Sequence, residues 1–252
     1  MKTQIDLLDA AIGIWMKKLD DIAGWREWNR QKLHATLAVD DPWPGDEKVR
    51  MSDFSLPEPI SHEHAVVMSY YGLVTSLSSL RDCEYYFRRY PFRGLPVTHH
   101  DHLRHICEMY FGRFYEFSER MKVASNTVHV AQPGTTIPFG NLIKAFGKHF
   151  KSELKERNSV HHHERFEDIR LDNIAIISIA ASSKDERLHL KRRMRSSYRE
   201  ATREWAQRVR RRSTDVEAYL EAVASLILGH CAFLGDSVPE ANNETSIRND
   251  TR

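Results

Sequence analysis

Apolar residues return at alternating steps of three and four through most of this chain. That rhythm gathers them on one face of an α-helix and on no face of a strand. In the first segment, about 3–38, Ile5, Leu8, Ile12, Trp15, Leu19 and Ile22 keep spacings of 3, 4, 3, 4 and 3. Such a stripe suits a core-facing helix of a bundle, and also a dimerising seam. The run Asp40-Asp41-Pro42-Trp43-Pro44-Gly45 ends it, and Pro57 and Pro59 prolong the connection.

The same pattern predicts six further helices. The second, about 61–90, carries Val67, Tyr70, Tyr71, Val74, Leu77 and Leu80, with Ser61 as N-cap and His64 in the place of a capping-box acid. The third, about 98–125, carries Leu103, Ile106, Tyr110, Phe114, Phe117 and Met121. Gln132-Pro133-Gly134 then turns the chain, and Asn141 can cap a fourth helix with Leu142, Ile143, Phe146, Phe150 and Leu154 on its apolar face. Continued, that face reaches Arg157 and His161. A fifth segment, 164–182, is apolar on several sides, which predicts a central place in a bundle. A basic helix over 184–212 and a last helix over 214–234 complete the set. The expected fold is all-α, a bundle of about six or seven helices. Residues 1–60 read as a helical extension packed on the bundle, 61–236 as the bundle, and the polar stretch 237–252 as a disordered tail.

Composition excludes several classes. With 41% hydrophobic and 29% charged residues the chain is globular rather than disordered. Cys83, Cys107 and Cys231 are odd in number and scattered, which argues against a disulfide scaffold and for a reducing, cytoplasmic setting. No apolar run is long enough to span a membrane. The net charge of +2 hides an asymmetry: twelve Lys/Arg against four acids from Lys184 to Arg212 give a local net of +8. That stretch includes Arg192, Arg193, Arg199 and Arg203, with Tyr198 and Trp205 interleaved. Arginines with aromatics suit RNA phosphates and stacked bases, and the same face can instead be balanced by acids of its own bundle. Walker A, Rossmann-glycine and nucleophile-elbow signatures are missing from the sequence.

The most informative stretch is Glu156-Arg157-Asn158-Ser159-Val160-His161-His162-His163. Consecutive histidines can be a solvated helix end, favoured there by the macrodipole. Arg157, however, lies on an apolar stripe, where an arginine is either ion-paired or turned to a cleft. On a continuous helix Arg157 and His162 stand about 140° apart, whereas Arg157 and His161 share a face. Either the helix turns near Ser159, or His162 works across a dimer, or His161 is the partner. A second histidine-rich run, with His102, His105 and Glu108 at helical spacing, offers a weaker metal-site pattern. Arg113 and Glu116 read as an intra-helix pair or as a polar patch meeting Arg157 across the bundle.

Arg157 and Asn158 followed by His162, within this order of helices over about 60–235, resemble the HEPN superfamily. Its ribonuclease members carry an Arg followed at short spacing by a His, often with Asn directly after the Arg. The resemblance implies a HEPN-like bundle and a metal-independent endoribonuclease that needs no cofactor. It also implies a homodimer with two copies of the motif near the two-fold axis. His162, with His161 and His163 as neighbours, would serve as general acid or base on the RNA 2′-hydroxyl. Arg157 would stabilise the phosphorane, and Asn158 would hold the phosphate or orient the histidine. Cleavage would leave 2′,3′-cyclic phosphate ends. The setting implied is phage defence or a toxin–antitoxin pair, with an antitoxin protein as a further partner. RNA contacts are expected at Arg192, Arg193, Arg199 and Trp205. The alternative is a catalytically silent bundle that binds RNA, nucleotide or a protein partner.

Overall fold

The computed structural model describes residues 2–37, 53–92, 96–162, 165–182 and 188–235, with the backbone alone at His161, His162 and Ser182. The loop signal at 40–45, the start of the predicted basic helix at Lys184, His163, and the tail 237–252 lie outside the described residues. The described chain is all-α: α1 (Gln4–Leu19), α2 (Trp25–Leu37), α3 (Ile60–Arg88), α4 (His99–Ala131), α5 (Phe139–His149), α6 (Lys151–His162), α7 (Ile169–Ser182), α8 (Leu188–His230) and the short α9 (Ala232–Gly235). No helix among the described residues is long and apolar enough to cross a membrane.

Several boundaries differ from expectation. The first segment is two helices, broken at Gly24, whose φ of 85° is open to glycine at no steric cost. α3 starts at Ile60 behind Pro59, with no side-chain cap, so Ser61 lies in its first turn rather than capping it. α5 starts at Phe139, which likewise places Asn141 inside the helix. The predicted caps fail because Pro59 and Pro138 set the helix starts two and three residues earlier. True caps are Thr3, which exchanges hydrogen bonds with Asp6, and Thr98, which accepts from the Asp101 N–H.

The predicted fourth helix is divided at Phe150, whose ring is buried against Phe114 and Phe146 at 5.0 and 4.6 Å. The predicted basic and last helices are one, the 43-residue α8. At the expected break, Ser213 and Thr214 return their hydroxyls to the Arg210 carbonyl at 2.9 and 3.2 Å, which a helix accommodates.

α3, α4 and α8 form the centre, with α5, α6 and α7 against α4 and α8, and α1 against α8 and α9. Aromatic rings fill the interior: Phe87 stacks on Trp205 at 5.4 Å, and Tyr110, Phe111 and Phe166 close around the same indole. A Cβ at Gly72 on α3 would meet the Arg120 guanidinium of α4 at 2.7 Å, the tip of a flexible side chain that can move aside. The start of α1 is tied to α8 by Glu221, whose carboxylate accepts the Gln4 and Ile5 N–H groups at 2.7 and 3.3 Å. α7 is peripheral rather than central. Leu171, Ile174 and Ile177 are buried, but Ile169, Ile176 and Ile179 are 85%, 66% and 75% exposed.

Candidate RNA-cleavage site

α6 is held in place by a carboxylate in the core. Glu153 has 0% exposure and accepts hydrogen bonds from Ser152 Oγ at 2.7 Å, Arg212 Nε at 2.9 Å and Arg208 Nη2 at 3.4 Å. A buried charge is tolerated only when paired in this way. Burial pushes the Glu153 pKa up, but the Ser152 hydroxyl, a backbone N–H and the two guanidinium charges outweigh it, and the net shift is downward. Glu153 stands three residues after Phe150 and four before Arg157, on the stripe between them, so the spacing marks its burial though not its partners.

One helical turn beyond Glu153, on the same face of α6, stands Arg157. Its guanidinium carbon lies 3.8 Å from the centre of the Tyr115 ring on α4, and its Nη1 donates to Asn158 Oδ1 at 3.2 Å. Among the described residues no carboxylate pairs with it. A cation held by a ring face keeps in-plane N–H donors for an anion. Of the two readings of Arg113 and Glu116, the intra-helix pair is the one that forms: Glu116 is engaged by Arg113 at 2.7 Å and Arg120 at 3.0 Å, both on its own helix.

α6 runs unbroken to His162, which removes the turn near Ser159. His161 therefore stands in register with Arg157, and His162 about 140° away around the same helix. The side chains of both, and His163 altogether, lie outside the described residues.

α8 divides its arginines between two roles. Arg208 and Arg212 serve Glu153, Arg210 pairs with Glu84 at 2.7 Å, and Arg170 of α7 pairs with Glu204. These are counter-ions within the bundle. Arg192, Arg193, Arg195, Arg199 and Arg203 are exposed. Trp205 is a correction: it is 6% exposed in the aromatic core, so its ring is closed to a nucleobase. Its signal was present in the stripe Ala201, Trp205, Val209, Val216 and Leu220, which the arginine density obscures.

Two cavities open at the end of the bundle where α3 finishes and α4 begins. One, of about 580 Å³, is lined by Tyr85, Phe92, Ile106 and Met109, with Arg89 and Arg113 as cations. The other, of about 840 Å³, is strongly basic. His102 is buried, and its Nε2–H donates to the Arg89 carbonyl at 2.7 Å and caps the end of α3. No cluster of potential metal ligands occurs among the described residues.

No known family model, curated protein or solved structure matches this chain.

Proposed function

We propose that this chain is a metal-independent endoribonuclease of HEPN type, acting as a homodimer. The observation that carries the reading is Arg157. It is seated on Tyr115, without a carboxylate partner among the described residues, and in register with His161 in the last turn of α6. In the reaction, a histidine takes the proton of the RNA 2′-hydroxyl, and the 2′-oxygen attacks the adjacent phosphorus. The P–O5′ bond breaks, and a second proton donor supplies the leaving 5′-oxygen. The products are a 2′,3′-cyclic phosphate and a 5′-hydroxyl. Arg157 offers a planar pair of donors to the charged phosphorane, where such a contact contributes most. Asn158, bonded to Arg157, fixes the orientation of that fork. His161 is the intrachain partner of Arg157. His162 occupies a position about 140° further round the helix, which suits the motif of a second subunit across a two-fold axis.

The test is cleavage of mixed total RNA in excess EDTA by the purified protein and by Arg157→Ala, His161→Ala and His162→Ala variants. The expected result is cleavage that persists in EDTA and leaves cyclic phosphate ends. It should fall at least about 100-fold in Arg157→Ala and in one or both histidine variants. Cleavage lost on adding EDTA, or unchanged in Arg157→Ala, refutes the reading. Sedimentation analysis should give a dimer. A role as an RNA-binding module without cleavage is the second reading, favoured by the exposed arginines of α8. It predicts RNA binding by a folded protein that leaves the RNA intact.

A further inference from the structure

The basic cavity lies about 24 Å from Tyr115 along α4, counting 16 residues of helix from His99. It is therefore separate from the Arg157 site. Three helix ends build it. α3 supplies Arg88 and Arg89, α4 supplies its first residue His99, and α8 supplies Arg195, Tyr198 and Arg199. The aromatic groups form a fixed floor: Tyr90 stacks on His99 at 3.9 Å, and His99 meets Tyr198 edge-on at 4.6 Å.

Of the four guanidinium groups on the cavity, Arg88 is paired with Glu84, and the other three repel each other unless an anion joins them. Two nearby acids are already engaged. Glu84 holds Arg88 and Arg210, and Asp101 holds Thr98 and Arg104. Arg89 lies over the Tyr85 ring at 5.5 Å. Arg195 and Arg199 have no carboxylate partner among the described residues. The hydroxyl of Tyr198 is buried without a hydrogen-bond partner among them.

We propose that this cavity binds a triphosphate group, carried either by a free nucleoside triphosphate or by the 5′ end of an RNA. A chain of phosphodiesters spreads one charge per nucleotide along its length. A terminal triphosphate places several charges on one compact group, which matches arginines converging on a concave site rather than lining a track.

The test is calorimetric titration of the full chain with inorganic tripolyphosphate, ATP and AMP, and with one RNA 12-mer bearing either a 5′-triphosphate or a 5′-hydroxyl. Tripolyphosphate and ATP should bind at least tenfold more tightly than AMP. The Arg195→Ala/Arg199→Ala double variant, altered at exposed positions, should lose at least tenfold in affinity with an unchanged melting temperature. If the triphosphate RNA binds at least tenfold more tightly than the hydroxyl RNA, and tripolyphosphate competes with it, the ligand is an RNA end. If the two RNAs bind alike while ATP still binds, the ligand is the free nucleotide. Equal binding of ATP and AMP, no binding of either, or an affinity unchanged in the double variant overturns the proposal. The readout is binding, so it stands or falls independently of RNA cleavage.

Discussion

Replacing Glu153 by alanine strips α6 of the carboxylate that fastens it to α8. Arg208 then loses its carboxylate, and Arg212 keeps only Asp215, at 3.2 Å. Removing one member of a buried ion pair costs about 3–5 kcal/mol. Arg208 and Arg212 keep 34% and 23% of their side-chain exposure, so water relieves part of the loss. The lower end, about 3 kcal/mol, is expected. For a chain of this size that is a fall of about 6–12 °C in Tm. Glu153→Gln retains hydrogen-bonding capacity and loses only the charge, and should cost about 1–2 kcal/mol. The pH dependence has a definite sign. The folded-state pKa of Glu153 is depressed. Its contribution is therefore complete above the unfolded value of about 4.3 and disappears as pH falls through the lower folded value. Thermal unfolding followed by circular dichroism at pH 7 and stepwise down to pH 3 is the assay. The gap between wild type and Glu153→Gln should narrow as the pH drops below about 4. A Tm for Glu153→Ala within 2 °C of wild type, allowing about 1 kcal/mol at most, refutes the role assigned to the pair. So does a gap that stays constant down to pH 3. Because Arg157 is one turn away on the same face, this pair also sets the position of the proposed catalytic arginine.

Three further predictions follow from the packing. Tyr115→Leu removes the ring beneath Arg157, a contribution of about 0.5–2 kcal/mol, and should slow RNA cleavage about 2- to 30-fold with little change in Tm. Trp205→Ala opens the aromatic core and should cost about 3–5 kcal/mol. Its affinity for labelled RNA, measured by anisotropy well below its Tm, should be that of wild type, and a tenfold loss would return the indole to the RNA surface. Cys83, Cys107 and Cys231 are all buried. Burial pushes the Cys83 and Cys231 thiols up to about 12 and Cys107 well above its ordinary value. A disulfide reagent should therefore label none of them until denaturant is added, and rapid labelling of any one in the native protein contradicts the packing.

The all-α class was legible because the three-and-four spacing is dictated by helix geometry alone. The helix ends were less so. The division at Phe150 has no glycine or proline to announce it, and it exists because that ring packs against Phe114 and Phe146. The continuity of α8 was hidden by Ser213 and Thr214, residues that elsewhere mark a boundary. In the site, Arg157 and Asn158 could be found as a motif. Tyr115 and Glu153 could not, because their roles arise from partners on other helices. Arginine density pointed to an RNA-facing α8, but it counted alike the arginines that neutralise Glu153 and Glu84 and those that remain exposed.

The clasp between α1 and α8 also sets an order of events during synthesis. The Gln4–Glu221 contact joins positions 217 residues apart. At about 5–20 residues per second, α1 leaves the ribosome roughly 10–40 s before its partner is made. Through that interval Leu8, Ala11, Ile12, Trp15 and Leu19, all buried in the finished fold, lack the α8 surface that covers them. A nascent-chain chaperone has its longest opportunity on this stripe, and docking of α1 is the step that ends it.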